Sequence, residues 1–225
     1  MTWALENSER LLDLLWQHTW ISTLAIVLGF TLALPVGWGA YSLQRSRSKI
    51  LRHCSAVIIS GSSLLYTIPS LPLFVILPTI LGLGWLNPIN VLIALVLYAF
   101  AILVRSVIDA LGAVPDSVLD SSIACGFSKS QRAMFVTLPL AGPVLLAALR
   151  VVSVSTVSLL SIGAIVGVSN LGSLFTNGFN RNFPTEIITG VVLTIGLAIL
   201  FDLLLVAIGK LLMPWQSALR TAGDV

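Results

Sequence analysis

Long apolar runs separated by short polar interruptions organise this chain. Crossing a ~30 Å hydrocarbon core as a helix takes about 20 mostly apolar residues, because lipid offers no partner to a bare peptide group. Five stretches meet that length, at about 19–43, 56–83, 90–108, 139–168 and 187–213. The second is interrupted by YTIPSLP, where Pro69 and Pro72 remove backbone donors and kink or break the helix, so it counts as one broken span. The strict in-out alternation of membrane-barrel strands is absent. The pattern predicts an all-α polytopic membrane protein. It comprises an extracytoplasmic segment 1–18, a single membrane domain 19–215 and a cytoplasmic tail 216–225.

Composition agrees: 57% of the 225 residues are hydrophobic, 9% are charged, and mean hydropathy is +1.02. Soluble domains are about a quarter charged. The charges alternate in space. Arg45, Arg47, Lys49 and Arg52 follow the first span, and Lys129 and Arg132 lie between the third and fourth, with Arg105 and Arg150 at the borders. Lys210 and Arg220 follow the fifth, whereas the other loops hold only Arg10 and Arg181. Since basic residues accumulate on the cytoplasmic side, the N-terminus is expected outside and the C-terminus inside. Glu6, Glu9 and Asp13, without a basic region before an apolar core, predict no cleavable signal peptide. The net charge of +3 is spent on topology and forms no nucleic-acid-binding stripe. Cys54 and Cys125 fall on the cytoplasmic side and are expected as free thiols, with no metal site. No GxxxxGK[ST], GxSxG or HExxH occurs, so neither ATP binding by a phosphate loop nor hydrolase chemistry is expected of this chain. His18 and His53 read as interfacial residues.

One polar island, DSSIACGFSKSQRAMFVTLPL, lies between the third and fourth spans. Pro115, Asp116 and Ser117 supply helix-start chemistry for a short helix with Val118, Leu119, Ile123 and Phe127 as its apolar face. Gly126 permits a tight turn. Ser128 can cap a second short helix through Gln131, Met134 and Phe135, ending where Pro139 opens the fourth span. The product is a knob on the cytoplasmic surface or a plain interfacial loop.

A proline-broken helix exposes backbone carbonyls, which are tolerated at membrane depth only inside protein or beside a wet cavity. Tyr66, Thr67, Pro69 and Ser70 are therefore candidates for a translocation path or its gate, against a kink repaired by neighbouring helices. Ser155, Ser158 and Ser161 recur every third residue and either line a path or pack helices, as do Gly163 and Gly167. Arg105 and Asp109 have pairing spacing. Arg150 and Asp202 are placed near enough to span ends to snorkel or pair.

The island resembles the cytoplasmic EAA loop of permease subunits of bacterial ABC importers. Asp120, Ser121 and Ser122 stand for EAA, Gly126 for its glycine, Val136 for its aliphatic position and Leu138-Pro139 for its end. The resemblance implies a coupling helix over 115–139 that docks on an ATP-binding subunit through Asp120, Ser121, Ser122, Gly126, Phe127, Leu138 and Pro139. Asp keeps the charge sign of Glu, and the serines keep the small size of alanine. SLLYTIPSLPLF is similar to the LLYTIPSLALF segment of permeases for quaternary-amine compatible solutes. VLYAFAILVRSVIDAL resembles their third span, and GAIVGVSNLG their glycine-rich turn after the fourth.

These similarities imply a type I ABC importer-like fold and carriage of glycine betaine, carnitine, choline or a related betaine along Tyr66, Thr67, Pro69, Ser70, Ser155 and Ser158. They imply a dimer of ATPase subunits holding ATP and Mg, a second permease subunit, an extracytoplasmic binding protein, surrounding membrane lipid and a bacterial plasma-membrane location. Methionine and other amino-acid importers share the plan and the loop, so an amino acid is the alternative cargo. A non-transporting membrane scaffold is the other alternative, although it leaves YTIPSLP without a purpose. An ion-driven transporter would show internal repeats and intramembrane acids, and neither is seen.

Overall fold

The computed structural model describes residues 2–215; the proposed tail 216–225, with Arg220, lies outside the described residues. Within them the chain is helical: α1 (Thr2–Glu6), α2 (Ser8–Gln44), α3 (Lys49–Thr67), α4 (Ser70–Leu81), α5 (Pro88–Gly112), α6 (Asp116–Ala124), α7 (Lys129–Arg132), α8 (Leu138–Ile162), α9 (Gly172–Asn180) and α10 (Pro184–Leu212). A π-helical turn, Ala133–Thr137, joins α7 to α8. Four helical stretches are long and apolar enough to cross a bilayer: α2, α5, α7 through α8, and α10. The α3–α4 pair, bent by 104°, is the broken fifth.

Helix α5 is the hub. Leu95, Leu103, Val104, Val107 and Leu111 are buried along it, as are its alanines. Water-driven burial contributes little between helices in lipid, so contact depends on close approach, and α2 supplies it with small residues. Ser22, Ala25, Gly29, Ala33, Gly37 and Ala40 recur at three- and four-residue spacing and are all buried. A Cβ on Gly29 would stand 2.6 Å from Ala99 Cβ, and one on Gly37 would stand 2.7 Å from Val107. Asn87 starts α5 by accepting the Ile89 N–H at 3.0 Å, with Pro88 next, where a missing N–H costs nothing.

Several expectations change. Only Pro69 breaks the second span: Pro72 falls in the first turn of α4, where its missing donor disturbs no helix bond. Pro139 does not end the helix before it, because the π turn carries α7 into α8 without interruption, and Pro139 sits in the first turn of α8. Gly163 and Gly167 form no helix-packing pair. They lie in a series of turns after α8, and Gly167 has φ +86°. Helix α9 was not anticipated at all.

Candidate translocation path and coupling surface

Proline disfavours helical backbone in the residue before it. Ile68 accordingly takes φ −66°, ψ 126° and Pro69 φ −63°, ψ 139°, which separates α3 from α4. The Ile68 carbonyl, left without a helical partner, accepts a hydrogen bond from Tyr98 Oη at 2.5 Å. It is thus not the free carbonyl that the sequence suggested. Tyr98 is the eleventh residue of α5, about 15 Å from its start, which puts the break near the middle of the bilayer.

Tyr66 is 53% exposed and stacks edge-on to the buried Tyr98 ring, with centroids 6.2 Å apart. Thr67 folds its hydroxyl back onto the Leu64 carbonyl at 2.7 Å, and Ser70 opens α4. The structure therefore gathers Tyr66, Thr67, Pro69 and Ser70 around one bend and adds Tyr98, which sequence reasoning missed. The tyrosine in VLYAF was its only signal. Ser155 is half-buried and Ser158 exposed on α8, and neither hydrogen-bonds to the bend among the described residues. Ser161 turns inward, its hydroxyl buried without a hydrogen-bond partner among the described residues, so the three serines do not form one row. The reason is geometric: each three-residue step falls short of a full helical turn.

Arg150 and Asp202 do pair, by two hydrogen bonds of 2.6 and 2.8 Å between α8 and α10. Their placement near span ends is corrected. Arg150 is the thirteenth of 25 residues in α8, about 18 Å from either end. The pair stays partly open, with side chains 41% and 30% exposed. Charge at that depth is costly against hydrocarbon, so this face requires protein or water over it. Arg105 and Asp109 pair as expected at 3.2 Å.

At the expected outer end, His18 is fully buried, not interfacial. Its Nε2 donates to the Val157 carbonyl at 3.0 Å, and its Nδ1 accepts the Leu171 N–H at 3.2 Å. Buried Asn170 donates to the Val168 carbonyl at 2.9 Å and accepts the Gly172 N–H at 2.7 Å, which closes the turn and starts α9. The dipeptide Asn170-Leu171 before Gly172 was the available signal for that helix. Glu186, also fully buried, lies 3.0 Å from Arg10 and 3.5 Å from Arg181, and neither approach has hydrogen-bond geometry. The Arg10 contact ties the starts of α2 and α10 together, and the Arg181 contact ties the end of α9 to α10.

The polar island folds as two short helices and a turn. Cys125 and Gly126 close α6, and Gly126 has φ +82°, where a Cβ is strained. Ser128 then caps α7 in a full capping box, accepting the Gln131 N–H at 3.3 Å while Gln131 Oε1 accepts the Ser128 N–H at 2.9 Å. Asp120, Ser121, Val118, Ile123 and Phe127 are exposed, whereas Ser122 is buried. Of the apolar face only Leu119 is half-buried, and the rest faces out. Arg45, at the end of α2, bonds Asp116 at 2.6 Å and Tyr41 at 3.1 Å; these bonds, that to Asp116 first, raise its pKa and hold the guanidinium charged. Leu138 and Pro139 begin α8 below the π turn. Cys54 and Cys125 are free and exposed, and His53 is exposed.

The model of one family, "Binding-protein-dependent transport system inner membrane component", matches residues 25–217. The chain belongs to that family. It is a multi-pass protein of the bacterial inner membrane and a permease subunit of an ABC importer. An osmoprotectant import permease protein of Salmonella typhimurium is 29% identical over 94% of this chain and 96% of its own length. A carnitine transport permease protein of Listeria monocytogenes is 30% identical over 94% and 90%. A choline transport system permease protein of Bacillus subtilis is 27% identical over 95% and 90%. Among solved structures, the inward-facing MetNI methionine ABC transporter superposes with TM-score 0.79 at 24% identity, covering 90% of this chain and 95% of the other. An amino acid ABC transporter crystallised with histidines gives 0.72 at 14%, over 92% and 95%. Both support the type I importer fold and, at such identities, nothing finer.

Proposed function

We propose that this permease carries a quaternary-amine compatible solute, of the glycine betaine, carnitine or choline class, past the bend at Ile68–Pro69. The observation that carries this is the pair of tyrosine rings at mid-membrane depth, with Tyr66 open and its ring braced by Tyr98. A methylated ammonium offers no hydrogen-bond donor and is attracted to aromatic faces, so such a wall suits it. The naming of three relatives for osmoprotectant, carnitine and choline transport supports the same class. Thr67, Pro69, Ser70, Ser155 and Ser158 complete the path. An extracytoplasmic binding protein delivers the solute.

ATP and Mg belong to a separate ATPase dimer. Asp120, Ser121, Gly126, Phe127 and the buried Ser122 form the docking helix and turn, and Leu138 and Pro139 pass its movement to α8. Two permease subunits enclose the path, because the exposed Arg150–Asp202 pair needs a cover that lipid cannot give. ATP binds more tightly to the closed ATPase dimer and thereby shifts the permeases between inward- and outward-open states.

The test is uptake of labelled glycine betaine, choline and methionine by the chain reconstituted with its ATPase and binding protein. Amine uptake without methionine uptake is expected, with Tyr66→Leu raising KM for the amine several-fold. Methionine uptake alone would keep the importer and overturn the cargo, and ATP hydrolysis without uptake of any of the three would favour a scaffold.

A further inference from the structure

Three cavities on the same side of α2 share walls and change character in order. The first, about 570 Å³, opens beside the end of α2 and is lined by Arg45, Asp116, Asp120, Lys129 and Arg132, with Trp38 at its inner edge. Trp38 and Ala133 also line the second, about 310 Å³, whose other walls are Leu34, Pro35, Met134 and Leu138. Leu34 and Leu138 then line the third, about 540 Å³, an apolar groove between α2, α8 and α10 reaching Phe30 and Leu149. From Arg45 to Phe30 the series covers 15 residues of helix, about 22 Å, running from the charged border into the hydrocarbon. That is the length and polarity profile of one phospholipid.

The charge at the border favours one sign. Arg45 is neutralised by Asp116, and among the described residues Lys129 and Arg132 have no acidic group within ion-pair distance. With Asp120 counted against them, the cavity keeps one net positive charge.

We infer that this series is a binding site for a single anionic phospholipid, its phosphate on Lys129 and Arg132 and one acyl chain along Leu34, Leu138 and Leu149. The occupant bridges α2 and the segment Lys129–Thr137 that leads into α8, so the lipid's headgroup charge adjusts how firmly the docking knob is held to the membrane domain. The site rests on the cytoplasmic assignment of this end, not on the identity of the cargo.

The experiment is native mass spectrometry of the detergent-solubilised complex with its ATPase, titrated with dioleoylphosphatidylglycerol, dioleoylphosphatidylcholine or glycerol 3-phosphate. One phosphatidylglycerol per permease chain is expected. Lys129→Gln with Arg132→Gln should weaken it roughly thirtyfold, from about fivefold per basic residue near a membrane surface. Leu34→Trp, which fills the groove and leaves the cations, should also weaken it. Equal binding by wild type and both variants overturns the site. Glycerol 3-phosphate binding as tightly as the lipid and indifferently to Leu34→Trp replaces it with a free-anion site. Loss of the ATPase from the double variant with phosphatidylglycerol binding unchanged assigns the cations to the partner and also overturns it. Lipid retention without amine uptake would sink the cargo and leave this site standing.

Discussion

His18 joins three parts of the chain through two ring nitrogens, holding the Val157 carbonyl on α8 and the Leu171 N–H before α9 against α2. Replacing it with Ala leaves two buried backbone groups unpaired at roughly 1–3 kcal/mol each. His18→Ala is therefore expected to lower stability by roughly 2–6 kcal/mol, and His18→Gln, which keeps a donor and an acceptor, by less; thermal unfolding in detergent measures both. The Arg150–Asp202 pair makes a second prediction. Either Arg150→Leu or Asp202→Leu strands a charge at mid-membrane and should reduce the amount of folded permease sharply, while the double variant restores it. Quantifying folded protein in the membrane fraction decides this: a double variant no better than the singles would mean that the attraction between the two charges is not what holds the face. The histidine's role was not legible in the sequence, and the Arg150–Asp202 pairing only as one of two options at the wrong depth, because a lone histidine and two isolated charges acquire partners only from distant segments.

Between residue and fold, the π turn at Ala133–Thr137 is the element most exposed to test. It inserts one extra residue into an otherwise continuous helix and so sets the rotation of α7 and the docking knob relative to α8. Deleting Met134 should let this segment close as ordinary α-helix and remove the wide turn between the knob and α8. ATP hydrolysis by the complex should persist while uptake falls at least tenfold, and normal uptake would show that the turn has no part in coupling. The knob itself was readable, since Gly126 and the Ser128–Gln131 capping box act within a few residues of each other. The π turn was not, because the same residues could continue an ordinary α-helix. The YTIPSLP break was half readable: proline chemistry located it, but whether Pro69 or Pro72 acts depends on where α4 begins.

For the whole molecule, the two cysteines report orientation. Cys54 and Cys125 are both exposed and lie, by the distribution of basic residues, on the cytoplasmic side. A membrane-impermeant maleimide should label them in inverted vesicles lacking the ATPase and leave them unmodified in intact spheroplasts; labelling from outside would reverse the topology. The amino-acid sequence by itself determined the number of spans, the broken second one and the turn that presents the polar knob, and its basic residues predict the direction of insertion. Each follows from run length, apolar content, charge placement or the backbone limits of proline and glycine, which act locally. Only the tertiary structure decided that Tyr98 covers the Ile68 carbonyl, that His18 and Glu186 are buried, that Arg150 meets Asp202 at mid-depth, and that a charged cavity opens into an apolar groove. Those contacts join residues 30 to 176 positions apart. They are fixed by which helix faces can approach closely, and small residues such as Gly29 and Gly37 permit that approach only once α5 is there to meet them.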